Sequence, residues 1–263
     1  MLYSSYILFV GFYYTITNSM TYWNHMTVPI TINPKHDPLE LSEQLQTHGR
    51  LQVADFFSDE TADYLYRLIQ ENKQWHLAYN EGDNYYESEL AEFQNLPPQK
   101  KQGFMNGIFS GARDHFQYVF LQYYITQAIE LKENQGHPMH AMHDFVNTEE
   151  TLNFMRTLTQ EPKIRKADAY ASCYSPGHFL TEHDDRHSKH DRVAAYVVSM
   201  TKGWNKNWGG HLAFYDEVGN IKEAFIPSFN TLNIFLIPQS HAVQQVAPFA
   251  GHARTSYLGW LHR

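Results

Sequence analysis

His183 and Asp185 stand two apart, and His241 and Arg254 follow after a strand-rich stretch. Two imidazoles and one carboxylate can occupy one face of Fe(II), leaving the remaining positions open for a co-substrate and dioxygen. In an extended strand, side chains two apart share a face, so His183 and Asp185 are expected to reach one metal while Asp184 points away. The third ligand must come from elsewhere in the fold. His241 lies 56 residues beyond Asp185 and opens the apolar run His-Ala-Val-Gln-Gln-Val, just after the turn signal Pro238-Gln239-Ser240. A barrel brings such distant positions side by side.

The His-x-Asp pair is weak alone: with 16 histidines in the chain, chance produces on the order of one such pair. Two further histidine groups compete for a metal. His183, His187 and His190 have helical spacing, but the segment around them is polar throughout and lacks the apolar period of a packed helix, so it reads as a solvated loop. His137, His140 and His143 read as a loop before a helix, with no carboxylate placed to complete a facial site.

The elements that must position these residues divide in two. Ser58 caps a helix with Asp59 and Glu60 in its first turn and Leu65, Leu68 and Ile69 on its apolar face. The stretch 80–103, with Pro97-Pro98 inside it, reads as a polar loop, and 112–132 as a long, aromatic-rich buried helix. Asn147 with Glu150 forms a capping box for a helix running through Leu158. Strands are expected at 167–174, 192–200, 210–215, 223–226, 231–237, 242–246 and 253–261. Helices followed by many strands indicate an α+β fold, a double-stranded β-helix or jelly roll braced by N-terminal helices. Gly209-Gly210 before a strand marks a tight turn or a close backbone approach.

The composition, 43% hydrophobic over 263 residues, suits one domain with a sizeable core. We expect that domain over 26–263, with helical support at 55–165 and the jelly-roll core at 166–263. The net charge of −8 argues against direct nucleic-acid binding and favours a basic partner. The single cysteine, Cys173, forms no internal disulfide and reads as a small buried side chain, in keeping with a reducing, cytoplasmic setting. Residues 1–25 contain an apolar run without the positive flank of a signal peptide, and the run is too short and interrupted to span a bilayer, so an extension ahead of the domain is expected.

Six motifs occur in order over about the last 95 residues: Tyr-x-x-Gly-x-x-Leu-x-x-His-x-Asp at 174–185, Trp208-Gly-Gly-x-Leu212, Ile226-Pro-Ser-x-Asn230, His241 with Gln244 and Val246, Arg254-x-Ser256, and Gly259-Trp-x-His262. In these the chain resembles the prolyl-hydroxylase-like 2-oxoglutarate/Fe(II) dioxygenases, most closely the catalytic domain of ribosomal prolyl 3-hydroxylases. A counterpart of that family's second, degenerate barrel is not expected in this chain. The resemblance implies Fe(II) held by His183, Asp185 and His241, with 2-oxoglutarate as co-substrate and ascorbate as reductant. It implies that Arg254, with Tyr174, anchors the far carboxylate of 2-oxoglutarate, a role that suits a planar guanidinium. Ser256 shares the Arg254 face by period 2 and is placed to add a hydroxyl donor. The implied reaction is hydroxylation of a prolyl residue in a protein. A small molecule or free amino acid is the alternative substrate, and a catalytically idle binding protein the alternative class.

Overall fold

The structure, a computed structural model, describes residues 28–263 apart from residue 189; the expected N-terminal extension lies outside these. The chain begins with α1 (Pro38–His48) and β1 (Arg50–Ala54), then α2 (Asp59–Glu71), the hairpin β2 (His76–Glu81) and β3 (Asn84–Glu89), α3 (Leu90–Gln94) and α4 (Pro98–Gly111). It continues through β4 (Tyr118–Tyr123), α5 (Ile125–Glu130), α6 (His140–Val146) and α7 (Glu149–Thr159). Nine strands complete it: β5 (Lys166–Ala167), β6 (Tyr170–Tyr174), β7 (Phe179–His183), β8 (Arg192–Ser199), β9 (Leu212–Tyr215), β10 (Ile221–Phe225), β11 (Thr231–Leu236), β12 (His241–Val243) and β13 (Arg254–His262).

The strands run in the order β1-β11-β8-β13-β6-β4-β7-β12-β9-β10, with β5 on β13 and the β2-β3 hairpin on β4. β4 links the two halves, pairing Leu121 with Cys173 of β6 and Tyr118 with Leu180 of β7. The result is a nearly closed, barrel-like antiparallel sandwich, the expected jelly roll. Its outer face is covered by helices: Leu65 and Ile69 of α2 and Leu152 and Met155 of α7 join Tyr196, Leu232, Ile234 and Tyr257 in the main core. Inside the barrel a smaller cluster forms around Leu212, Phe214, Phe225 and Phe235.

Several sequence expectations hold locally. Ser58 caps α2 by accepting from the Thr61 N–H, and the seven expected strand regions each contain a strand. Others are corrected. Residues 112–132 form β4 and the short α5, because Val119, Leu121 and Tyr123 pack inside while β2, β6 and β7 flank the strand. A strand buried on both faces loses its period-2 signature and mimics a buried helix. The stretch 80–103 is ordered as β2-β3, α3 and α4, and the α7 cap is Thr148, one residue after the expected Asn147. Asn147 instead clamps the chain, accepting from Ala167 N–H and donating to the Ala167 carbonyl. α1 and β1 precede the first element expected from the sequence, and β2–β4 contribute strands from the region read as helical support.

Two glycines show close backbone contact. A Cβ at Gly209, where φ is +64°, would meet the Gln245 carbonyl oxygen at 2.2 Å, so both expected reasons for a glycine apply at once. Within β13, a Cβ at Gly259 would lie 1.9 Å from the carbonyl oxygen of Asp168, which also accepts from the Tyr196 hydroxyl. Gly259→Ala should therefore force strand and loop apart, destabilising the fold by about 1–3 kcal/mol. Thermal melting checks this, and an unchanged midpoint would show that the loop yields freely.

Candidate functional site

β7 and β12 pair antiparallel with His241 opposite His183, and Asp185 follows β7 directly. Nε2 of His183 lies 3.4 Å from one Asp185 carboxylate oxygen and Nε2 of His241 lies 3.4 Å from the other. One ligand atom from each residue falls within 4.8 Å of the rest, the single group of this kind among the described residues. The means differ from the sequence argument. β7 ends at His183, and Asp185 takes a left-handed conformation with φ of +62°. A turn, not strand alternation, swings the carboxylate beside the imidazole.

Each histidine is oriented through its other nitrogen. Nδ1 of His183 bonds the Thr181 carbonyl at 3.0 Å and Nδ1 of His241 the Gln239 carbonyl at 2.8 Å. Both rings must donate from Nδ1, which leaves the Nε2 lone pairs aimed at the shared point, the arrangement that outer-shell acceptors give to ligating histidines. Burial, aided by the neighbouring His183, pushes His241 down to about 4, so its ring is neutral near pH 7. Burial opposes ionisation of Asp185, yet the neighbouring His183 and His241 hold it below the usual carboxylate range. For His183 burial is outweighed by Asp185, which raises it. Two imidazoles and an ionised carboxylate fit a divalent metal.

Arg254 opens β13 opposite Tyr174 of β6. Only 4% exposed, Arg254 has no hydrogen-bond partner for Nε or Nη1, and its Cζ sits 5.3 Å from the Tyr174 ring centroid. A buried guanidinium without an anion is costly, and burial lowers its basicity accordingly. Tyr174 stacks on Phe120 at 4.8 Å, and burial raises its phenol, so it remains a donor. Ser256 shares the Arg254 face, and its buried hydroxyl also has no partner, but it does not line the cavity. Its register neighbours are Ser172 and Ser199.

His183, Asp185, His241, Tyr174 and Arg254 all line one cavity of about 110 Å³ between the sheets. The sequence reading missed part of its wall. Tyr170 and Trp260 pack edge to face at 5.3 Å, and the guanidinium of Arg192 lies 3.6 Å from the Trp260 ring centroid while Nη1 donates to the Asp185 carbonyl. Alternation along β13 carries the Arg254 face onward to Leu258 and Trp260, a signal present in the sequence. Among the described residues neither competing histidine set forms a metal-ready group. Residues 184–188 form no helix, and His140 pairs with the Tyr123 hydroxyl at 2.9 Å. Burial pushes the Cys173 thiol up to about 12, the inert side chain expected.

Residues 169–262 match the family model described as the 2OG-Fe(II) oxygenase superfamily. The match takes in the strands β6–β13, which carry or adjoin His183, Asp185, His241 and Arg254. No curated protein matches the chain by sequence. Among solved structures, an oxidoreductase of the 2OG-Fe(II) oxygenase family from Burkholderia pseudomallei superposes with a TM-score of 0.56 at 12% identity, covering 90% of this chain and 96% of that one. A prolyl hydroxylase from Trichoplax adhaerens, in complex with a hypoxia inducible factor peptide fragment, gives 0.55 at 16%, covering 86% and 88%. A Pseudomonas putida prolyl-4-hydroxylase gives 0.53 at 19%, covering 86% and 98%. At these identities the likeness is one of fold. The family implies Fe(II) and 2-oxoglutarate. Among the described residues no helix is long and apolar enough to cross a membrane.

Proposed function

We propose that the protein hydroxylates a prolyl residue of a protein substrate, with His183, Asp185 and His241 holding Fe(II) and Arg254, aided by Tyr174, holding the far carboxylate of 2-oxoglutarate. The observation that carries this reading is the presence, in one cavity, of a metal-ready triad and a buried arginine lacking an anion. Bound together, iron and 2-oxoglutarate would put dioxygen to use as the oxidant, one of its oxygen atoms entering a substrate C–H bond and the other entering succinate, which forms from the co-substrate with loss of CO₂.

The chain's own residues position and exclude. The Gln239 and Thr181 carbonyls fix the imidazoles, and Arg254 with Tyr174 fixes the co-substrate. Phe120, Leu180, Tyr170 and Trp260 give the cavity an apolar wall that suits a pyrrolidine ring and keeps water from the reacting centre. Ser256, on the Arg254 face but outside the cavity lining, would serve only as an auxiliary donor. Ascorbate, by returning oxidised iron to Fe(II), is the reductant to include.

Two features favour a peptide over a free amino acid. Among the described residues, the only charged or metal-ready side chains lining the cavity are His183, Asp185, His241 and Arg254. All four are assigned, so none remains to clamp an amino acid's ammonium and carboxylate. Beside the cavity the β2-β3 hairpin presents exposed Tyr85 and Tyr86 among Glu81, Asp83 and Glu89. The Tyr85 hydroxyl joins Glu87 at 2.7 Å to the cavity-lining Gln122 at 2.6 Å. An acidic, aromatic rim attracts a basic segment, and basic, proline-containing ribosomal proteins are the class to search, in the cytoplasm.

Succinate formation should accordingly rise more with a basic proline-containing peptide than with free L-proline, and the stimulation should weaken as salt shortens the screening length from ~10 Å at 0.1 M toward ~3 Å at 1 M. Stronger coupling to free proline, or no effect of salt, would transfer the assignment to a small-molecule substrate.

A further inference from the structure

The two histidines of the triad are oriented by unlike means. The Thr181 carbonyl that fixes His183 belongs to β7, and Thr181 is also bonded through its N–H and its hydroxyl to Gln117. The Gln239 carbonyl that fixes His241 belongs to a loop between β11 and β12. That loop is tied to β9 by the Ser240 carbonyl, which accepts from Tyr215 N–H. Ser240 Oγ also donates to Glu182 at 2.7 Å and Ile237 N–H to the Val193 carbonyl, and the Gln239 side chain adds three ties beside the carbonyl contact to His241. Its amide nitrogen donates to the Gly49 and Leu236 carbonyls, and its amide oxygen accepts from Arg50 Nη1 at 3.0 Å.

Arg50 is the junction. It is 9% exposed, and its Nε donates to Glu223 at 2.6 Å. β1, which carries Arg50, and β10, which carries Glu223, are the two ends of the strand path and share no backbone ladder. The pair therefore closes by side chains the seam that the backbone leaves open. The guanidinium also lies 4.9 Å from the centroid of Phe214, which packs with Phe235 against the His241 ring at 6.1 and 4.5 Å respectively.

We propose that Arg50 is a positioning residue for the metal site: through Gln239 and Phe214 it fixes the carbonyl and the aromatic wall that set the orientation of His241. This rests on the metal reading above. A guanidinium is required because one planar fork serves Glu223 and Gln239 while its face covers a ring.

The test is Co(II) titration of the metal-free full-length protein, followed by visible absorption, on wild type, Arg50→Ala, Arg50→Lys, Gln239→Ala and Arg156→Ala. The last removes the distant Arg156–Glu149 pair and serves as a control for general loosening. Arg50→Ala and Gln239→Ala should each weaken Co(II) binding about 10- to 100-fold, as loss of outer-shell support does, with a changed cobalt spectrum. Arg50→Lys should recover only part of the affinity, and Arg156→Ala should match wild type. Circular dichroism identifies any variant that fails to fold, and the Gln239→Ala result then decides. Wild-type affinity and spectrum in folded Arg50→Ala or Gln239→Ala would overturn the proposal, as would full recovery by lysine. Failure of wild type itself to bind Co(II) would instead sink the metal assignment.

Discussion

Alanine at His183, Asp185 or His241 is expected to abolish 2-oxoglutarate turnover, each change removing one of three protein ligands. The effect should be near-total for each one, because on the proposed assignment the three residues supply the whole chain-derived ligand set, and their donor atoms converge within 4.8 Å. Asp185→Ala has a second consequence: it leaves Nε2 of both imidazoles without the carboxylate each now faces at 3.4 Å. Alanine at His187 or His190 should leave turnover largely intact. Succinate assays with added Fe(II) and ascorbate measure all five, and near-wild-type turnover by any of the first three contradicts the ligand assignment.

The second large effect belongs to Arg254. Arg254→Lys keeps a charge but loses the fork, and should raise the KM for 2-oxoglutarate roughly tenfold, about 1.4 kcal/mol. Arg254→Ala should raise it further. The structure adds a sign that a merely structural arginine would not show. Nε and Nη1 are buried without partners, so the metal-free, co-substrate-free protein carries an uncompensated charge. Arg254→Met, apolar and of similar length, should therefore melt at a higher temperature than wild type while binding 2-oxoglutarate far more weakly. A fall in both would show that Arg254 holds the fold rather than a ligand.

The site was legible where chemistry constrains residue type: His183, Asp185, His241 and Arg254 are named by what they can bind. How they meet was less legible. Asp185 reaches the shared point through a left-handed turn that period-2 reasoning cannot register, since it depends on the chain's path beyond His183. β4 was read as part of a helix because strands on both sides and packing on both faces remove any alternation from Tyr118-Val-Phe-Leu-Gln-Tyr123. Arg50 carries no local signal at all. Its role exists only once β1 and β10 approach from opposite ends of the chain's strand order and the loop bearing Gln239 settles between them. Trp260 lies between these cases: the motif contains it, and strand alternation from Arg254 places it in the cavity wall.

The central claim is that the triad and Arg254 together form one metal-dependent 2-oxoglutarate site. Its most direct measurement is calorimetric titration of 2-oxoglutarate into the oxygen-free protein, with and without Fe(II). One-to-one binding that requires the metal, vanishes in Asp185→Ala and weakens in Arg254→Ala is the predicted result; equal binding with and without Fe(II), or none at all, would contradict it.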